Sequence, residues 1–172
     1  MKHNISILSE TDRSKIRMSL LKTGTHGCCN KAKLAAYLAE AYAEQGHTAR
    51  AYGYLLQASH LGISIPDSIL EDFAKEVRAM SKEDLASDYE AALLIGCELQ
   101  NDFADKILFL QIAADSPEDI YGVAALKLAD QLTCSIRYKT QSDYYYKLAA
   151  VKGNPDLLPC FTGRYHRKEA EK

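Results

Sequence analysis

The chain has 172 residues, 47% of them apolar and 26% charged, enough to bury a core and too mixed in charge sign for a disordered tail. Lys and Arg number 21 against 23 Asp and Glu, so the basic footprint of a nucleic-acid binder is missing and no nucleic-acid partner is expected. Nowhere do about eighteen apolar residues run together, as a membrane-spanning helix requires, and no membrane partner is expected either.

Apolar residues recur at helical spacing almost throughout, without the strict alternation of a half-buried strand, so the expected class is all-α with about eight helices. A first helix opens at Ser9, with Asp12 in its first turn, buries Ile16, Leu20 and Leu21, and closes at Gly24. A second follows Asn30, carries Leu34, Leu38, Ala41 and Tyr42, and stops at Gln45-Gly46; a third covers His47 to Leu61. Gly62 ends it, Ser64-Ile65-Pro66 restarts the chain, and Ile69, Phe73, Val77 and Met80 mark a fourth. Ser81 and Asp84 have cap spacing before a long fifth helix to about Gln100. Asn101-Asp102 breaks the pattern and starts a sixth, ending near Asp115. Ser116-Pro117-Glu118-Asp119 combines a capping hydroxyl, a first-turn proline and two carboxylates, and predicts a seventh helix from there to Thr133. An eighth covers Gln141 to Lys152 and ends at Gly153-Asn154-Pro155.

One spacing recurs in the first helix of three successive pairs: Leu38-Ala39 with Tyr42, Ile95-Gly96 with Leu99, and Leu128-Ala129 with Leu132. The second helices answer with an aromatic and then small residues, in Tyr54 with Ala58-Ser59, Phe109 with Ala113-Ala114 and Tyr145 with Ala149-Ala150. The bulky members fill space and the small ones let neighbouring helices approach.

At these residues the chain resembles the tetratricopeptide-repeat superfamily, and within it the Sel-one-like branch. Tyr145-Tyr146-Lys147-Leu148-Ala149-Ala150-Val151-Lys152-Gly153-Asn154 looks like that branch's repeat ending, and Tyr54 to Gly62 echoes it with the glycine in register. The glycine-rich loop inside a Sel-one-like hairpin is absent, Pro117 stands where a turn glycine belongs, and Pro66 to Ser87 fits no copy. The resemblance implies antiparallel hairpins stacked as a short right-handed α-solenoid over residues 30–156, preceded by a capping helix and loop over 1–29 and followed by a polar tail over 157–172.

Such a stack implies a non-catalytic module that binds another protein, as an adaptor, inhibitor, effector or immunity-type chain. By resemblance, the groove-facing positions are Lys33, Ala36, Glu40 and Glu44 in the first copy, Glu90, Leu93 and Cys97 in the second, and Leu126 and Asp130 in the third. That acidic to neutral face suits a basic or apolar partner segment. Of the eleven tyrosines, Tyr42, Tyr54 and Tyr145 take repeat-core positions, while Tyr52, Tyr144 and Tyr165 have no core role and are interface candidates. The basic Arg164-Tyr165-His166-Arg167-Lys168 offers a contact for an acidic partner or frays as a polar end.

The alternative is thiol or metal chemistry at His26-Gly27-Cys28-Cys29, just before a helix start that would favour thiolate, with His3 or His47 as further ligands. Adjacent cysteines lack the two-residue gap of zinc loops, and no phosphate-cradling or nucleophile-elbow sequence occurs. No enzyme activity, cofactor or metal is therefore expected. Five cysteines without framework spacing and an opening segment unlike a signal peptide point to a cytoplasmic chain, with secretion by a signal-less route left open.

Overall fold

The computed structural model describes residues 3, 5–23, 30–100 and 102–153. Within them the chain forms nine α-helices: α1 (Glu10–Thr23), α2 (Lys31–Gln45), α3 (Thr48–His60), α4 (Asp67–Arg78), α5 (Lys82–Ala86), α6 (Tyr89–Glu98), α7 (Phe103–Asp115), α8 (Val123–Thr133) and α9 (Lys139–Gly153). No strand occurs among the described residues, and no helix among them is long and apolar enough to cross a membrane. The all-helical class expected from periodicity is what is observed.

Local chemistry explains most boundaries. The Asn30 side chain accepts from the amides of Ala32 and Lys33 to start α2, and Gly46, at φ 85°, closes it by donating to Ala43 and Tyr42. Two boundaries differ from expectation. The single helix expected from Ser81 to Gln100 is split into α5 and α6 at Ser87-Asp88, because Asp88 turns its carboxylate to the Ala91 amide as a new cap and to Arg50 of α3. The helix expected at Ser116-Pro117 begins seven residues later. Ser116 Oγ accepts only from the Glu118 amide and closes a turn, and Asp119 supplies the cap by accepting from the amides of Ala124 and Ala125.

The helices associate as three pairs, α2 with α3, α6 with α7 and α8 with α9, and α4 also packs on α3. The α8/α9 pair is antiparallel: Ser142 Oγ bonds the Ala129 carbonyl near one end, and Gly122 lies against Ala149 near the other. Small residues set the close approach. A Cβ on Gly96 of α6 would lie 2.7 Å from Leu110 Cγ of α7, so the gap expected at Ile95-Gly96 is real and filled by the facing helix.

The junctions between pairs are not equivalent. Between α3 and α6, Arg50 meets Asp88, Gly53 faces Leu94 and Gln57 meets Glu98, so these two helices run parallel. The Phe103 ring, at the start of α7, instead lies 6.3 Å from that of Tyr138, beyond the end of α8, so α7 and α8 run antiparallel. The intervening α4 and α5 account for the difference. They turn the chain once more before α6.

Two buried clusters form the interior. The first gathers Leu8, Ile16, Leu55, Phe73, Val77, Leu85, Ile95 and Phe109 with alanines of α2 and α3; the second gathers Leu110, Leu128, Leu132 and Tyr145 with alanines of α6, α7, α8 and α9. Leu21, expected in the buried stripe of the first helix, is exposed, whereas Ile16 and Leu8 enter the first cluster.

Candidate docking surface

The face expected to form a groove on α2 is covered by the chain's own start. Glu40 is only 4% exposed. Its carboxylate accepts from the amides of Ile7 and Leu8 and from Arg13 Nε at 2.8 Å. Burial alone pushes this carboxyl up, but the hydrogen bonds from Arg13, Leu8 and Ile7 outweigh it and leave the group below its ordinary value. Lys33 is paired with Asp12 of α1 at 2.7 Å, and Ala36 is fully buried. Further back, the His3 amide donates to the Ala43 carbonyl, its ring lies 4.6 Å from that of Phe73, and its Nε2 meets Glu76 at 2.9 Å. Glu40 and Ala36 are thus interior positions, and Lys33 is held by an ion pair. The placement of Glu40 and Ala36 on an open face is corrected, because the sequence spacing gave no sign that residues 5–9 lie across α2. Glu44 alone of the first set is exposed.

Tyr52 is also corrected. It is buried in the first core, and its phenol is pushed up by that burial. Glu90 is exposed but engaged, accepting from the Tyr54 hydroxyl at 3.0 Å and pairing with Arg50 at 3.2 Å. Tyr144 stands out from α9, its ring edge-on to Tyr145 at 5.0 Å. His26, Cys28, Cys29, Tyr165 and the tail lie outside the described residues. Among the described residues no group of three or more His, Cys, Asp or Glu side chains could hold a metal ion.

The remaining sites gather around α8. Leu93 packs on the second core, burial pushes the Cys97 thiol up against the lowering charge of Lys127, and Asp130 accepts from the Tyr146 hydroxyl at 2.8 Å. Beside them the loop 116–122 is tied down from three sides. The buried Asp119 carboxylate caps α8 and accepts from the Tyr89 hydroxyl of α6 at 3.1 Å. Lys152 Nζ of α9 donates to the carbonyls of Ala114 and Ser116 at 2.6 and 3.1 Å. At Gly122, with φ 63°, a Cβ would sit 2.5 Å from the Ala149 carbonyl oxygen, so glycine alone lets the loop reach α9.

This fixed loop and the first turn of α8 turn large apolar side chains outward. Ile120 is 59% exposed, Tyr121 74%, Val123 43% and Leu126 42%, four within seven positions. Leu126 was expected on the binding face. Ile120, Tyr121 and Val123 were missed, because a helix started at Pro117 distributes them around its circumference. The signal that would have found them is Tyr121-Gly122-Val123, where glycine marks a left-handed residue just before a helix.

A polar cleft of about 510 Å3 opens between the α2–α3 turn and α4–α5, lined in part by His47, Glu76, Asp84 and Asp88. Its carboxylates are already bonded, Glu76 to His3, Asp84 to Ser81 and Asp88 to Arg50. No family model, curated protein or solved structure matches the chain, so its own geometry carries the functional reading.

Proposed function

We propose that the chain is a non-catalytic protein-binding module of tetratricopeptide kind, nearest the Sel-one-like branch, whose partner docks on the surface formed by Ile120, Tyr121, Val123 and Leu126. The observation that carries this reading is the exposure of those four side chains, Ile120 and Tyr121 on a loop tied down by Asp119, Lys152 and Gly122 and Val123 and Leu126 on the first turn of α8 that follows it. Apolar groups clustered on a pre-formed surface gain by desolvation on binding and lose little conformational entropy. The partner segment is apolar, since Asp130 is already bonded to Tyr146 and Glu40 is buried, which removes two of the carboxylates that favoured a basic one.

The helix pairing supports a repeat origin through the small residues at pair contacts, Gly96 above all. The parallel α3/α6 junction departs from uniform stacking, so the regular part of the solenoid comprises α6 to α9. Such a module acts by occluding its partner, as an adaptor, inhibitor or immunity-type protein in the cytoplasm.

The test is quantitative affinity capture from the source organism with the native chain, Tyr121→Glu and Leu126→Glu. Both substitutions lie on exposed side chains and are expected to leave circular dichroism unchanged. Each is expected to lower recovery of the same specific partner by about tenfold, the loss of roughly 1.4 kcal/mol expected when a charge meets an apolar contact. Equal recovery with all three chains removes this surface from the reading.

A further inference from the structure

The docking surface lies beside the point where the chain leaves α9. Lys152 Nζ donates to the carbonyls of Ala114 and Ser116, and Gly122 lies against Ala149, so the last turns of α9 are tied along the loop that carries Ile120 and Tyr121. At Gly153, the last residue of α9, a Cβ would overlap the Tyr121 carbonyl oxygen, so the backbone leaves the helix in contact with Tyr121. Beyond the described residues the chain reads Asn154-Pro155-Asp156-Leu157-Leu158-Pro159-Cys160-Phe161. The tail is polar taken whole, but it opens on this run, in which Asp156 is the only charged residue and Leu157, Leu158 and Phe161 are large and apolar. Val123 and Leu126 stand one turn apart, about 5 Å along α8, and the chain from Gly153 to Leu157 reaches about 13 Å when extended.

We propose that Leu157 to Phe161 folds back over Ile120, Tyr121, Val123 and Leu126 and covers this surface within the same molecule, so that a partner docks by displacing it. Linkage and solvation select this occupant. Only three residues separate Gly153 from Leu157, so the run meets the surface at an effective concentration in the millimolar range, and a contact too weak to hold a separate chain keeps it seated. Four large apolar side chains exposed within seven positions are unfavourably hydrated, and an apolar run of the same chain relieves this. Pro155 also disfavours continuing α9 through the run. The inference rests on the same surface as the docking reading and adds what covers it before a partner arrives.

The chain contains no tryptophan, so Phe161→Trp gives the full chain a single indole whose quenching by acrylamide reports its burial. The indole is expected to be shielded, and Tyr121→Glu or Leu126→Glu added to that chain is each expected to lower its seated-to-open ratio by about tenfold. Thr140→Glu, an exposed change at the other end of α9, is expected to leave it shielded. A second measurement keeps Phe161: the methyl signals of Val123 and Leu126 are expected to move when Leu157→Asp and Leu158→Asp are introduced together. The proposal is overturned if the indole is as accessible as that of tryptophan amide in solution, if neither surface charge exposes it, or if those methyls stay in place. Affinity capture separates the two readings. A shielded indole released by both charges, with partner recovery unchanged by them, supports the covering run and removes the partner, whereas an accessible indole with lowered recovery overturns the covering run and keeps the partner.

Discussion

The Arg13 guanidinium reaches the Glu40 carboxylate at 2.8 Å and closes an arrangement in which one buried acid also holds the amides of Ile7 and Leu8. A charge on α2 thereby fixes both the extended segment before α1 and the helix itself. Four donors from three residues converge on the carboxylate, so its desolvation is offset, and the first core is sealed by Leu8 rather than left open to a ligand.

Replacing that acid exposes its contribution. Glu40→Gln keeps the shape but leaves Arg13 only its exposed partner Glu10, and the expected loss is about 2–3 kcal/mol, below that of a fully buried pair because Arg13 keeps Glu10 and is partly solvated. The Glu40 carboxyl is depressed in the folded chain, so its contribution is complete above the ordinary glutamate value and disappears as pH falls through the depressed one. Urea unfolding midpoints of the two chains are therefore expected to differ most at neutral pH and to converge in acid. A constant gap across pH assigns the effect to packing.

Close approach at α6/α7 gives a second measurement. A methyl at residue 96 would sit 2.7 Å from Leu110 Cγ and 2.9 Å from the Leu110 backbone nitrogen, and backbone cannot swing aside. Gly96→Ala is expected to destabilise by about 1–3 kcal/mol, despite the better helix propensity of alanine. A stabilised Gly96→Ala chain shows that the two helices do not touch there.

The contrast between Gly96 and Asp119 shows what was legible in the sequence. A small residue between large ones at helical spacing reports a close approach, and Gly96 supplied it. The helix start at Ser116-Pro117 was equally well formed as local chemistry, yet Asp119 found better partners in Tyr89 and in the amides seven residues beyond Pro117. Local rules could not weigh a hydroxyl thirty positions away. The same limit applies to Glu40, whose helical spacing put it on the groove while its donors came from residues 7, 8 and 13. Long-range hydrogen bonds decided Glu40, and packing into the first core decided Ala36 and Tyr52, whereas the all-helical class followed from periodicity and the helix number fell one short where Asp88 divides α5 from α6.

Asp119 and Tyr89 can be separated by titration. Burial first, then the Asp119 charge and hydrogen bond, push the Tyr89 phenol up to about 12. Tyr89 therefore contributes stability below the ordinary tyrosine value, and this is lost as pH rises through the raised one. Asp119→Asn removes only the later causes, so the Tyr89 ring signal is expected to titrate lower than in the native chain but still above an exposed tyrosine. The same substitution weakens the α8 cap, at a cost of about 1 kcal/mol in urea unfolding. An unchanged Tyr89 titration means that Asp119 does not reach it.

Arg50 tests how the two cores are joined. Its Nε meets both oxygens of Asp88 at 3.0 and 2.7 Å, and Asp88 also caps α6 through the Ala91 amide. Asp88→Ala is therefore expected to cost more than Arg50→Leu, with about 1 kcal/mol of coupling between them in a double-mutant cycle. The larger effect concerns cooperativity. Helices α6 and α7 each contribute to both cores, Ala91, Ile95 and Phe109 to the first, Ala92, Leu110, Ala113 and Ala114 to the second, so the cores communicate through this pair. Loosening the parallel α3/α6 junction leaves the second core intact while the first separates from it. Arg50→Leu is thus expected to broaden urea unfolding, with methyl signals of Leu55 and Phe73-facing residues lost before those of Leu128 and Leu132. Coincident loss at both cores indicates that α6 and α7 alone make the chain a single cooperative unit, with the Arg50 pair adding stability and no coupling.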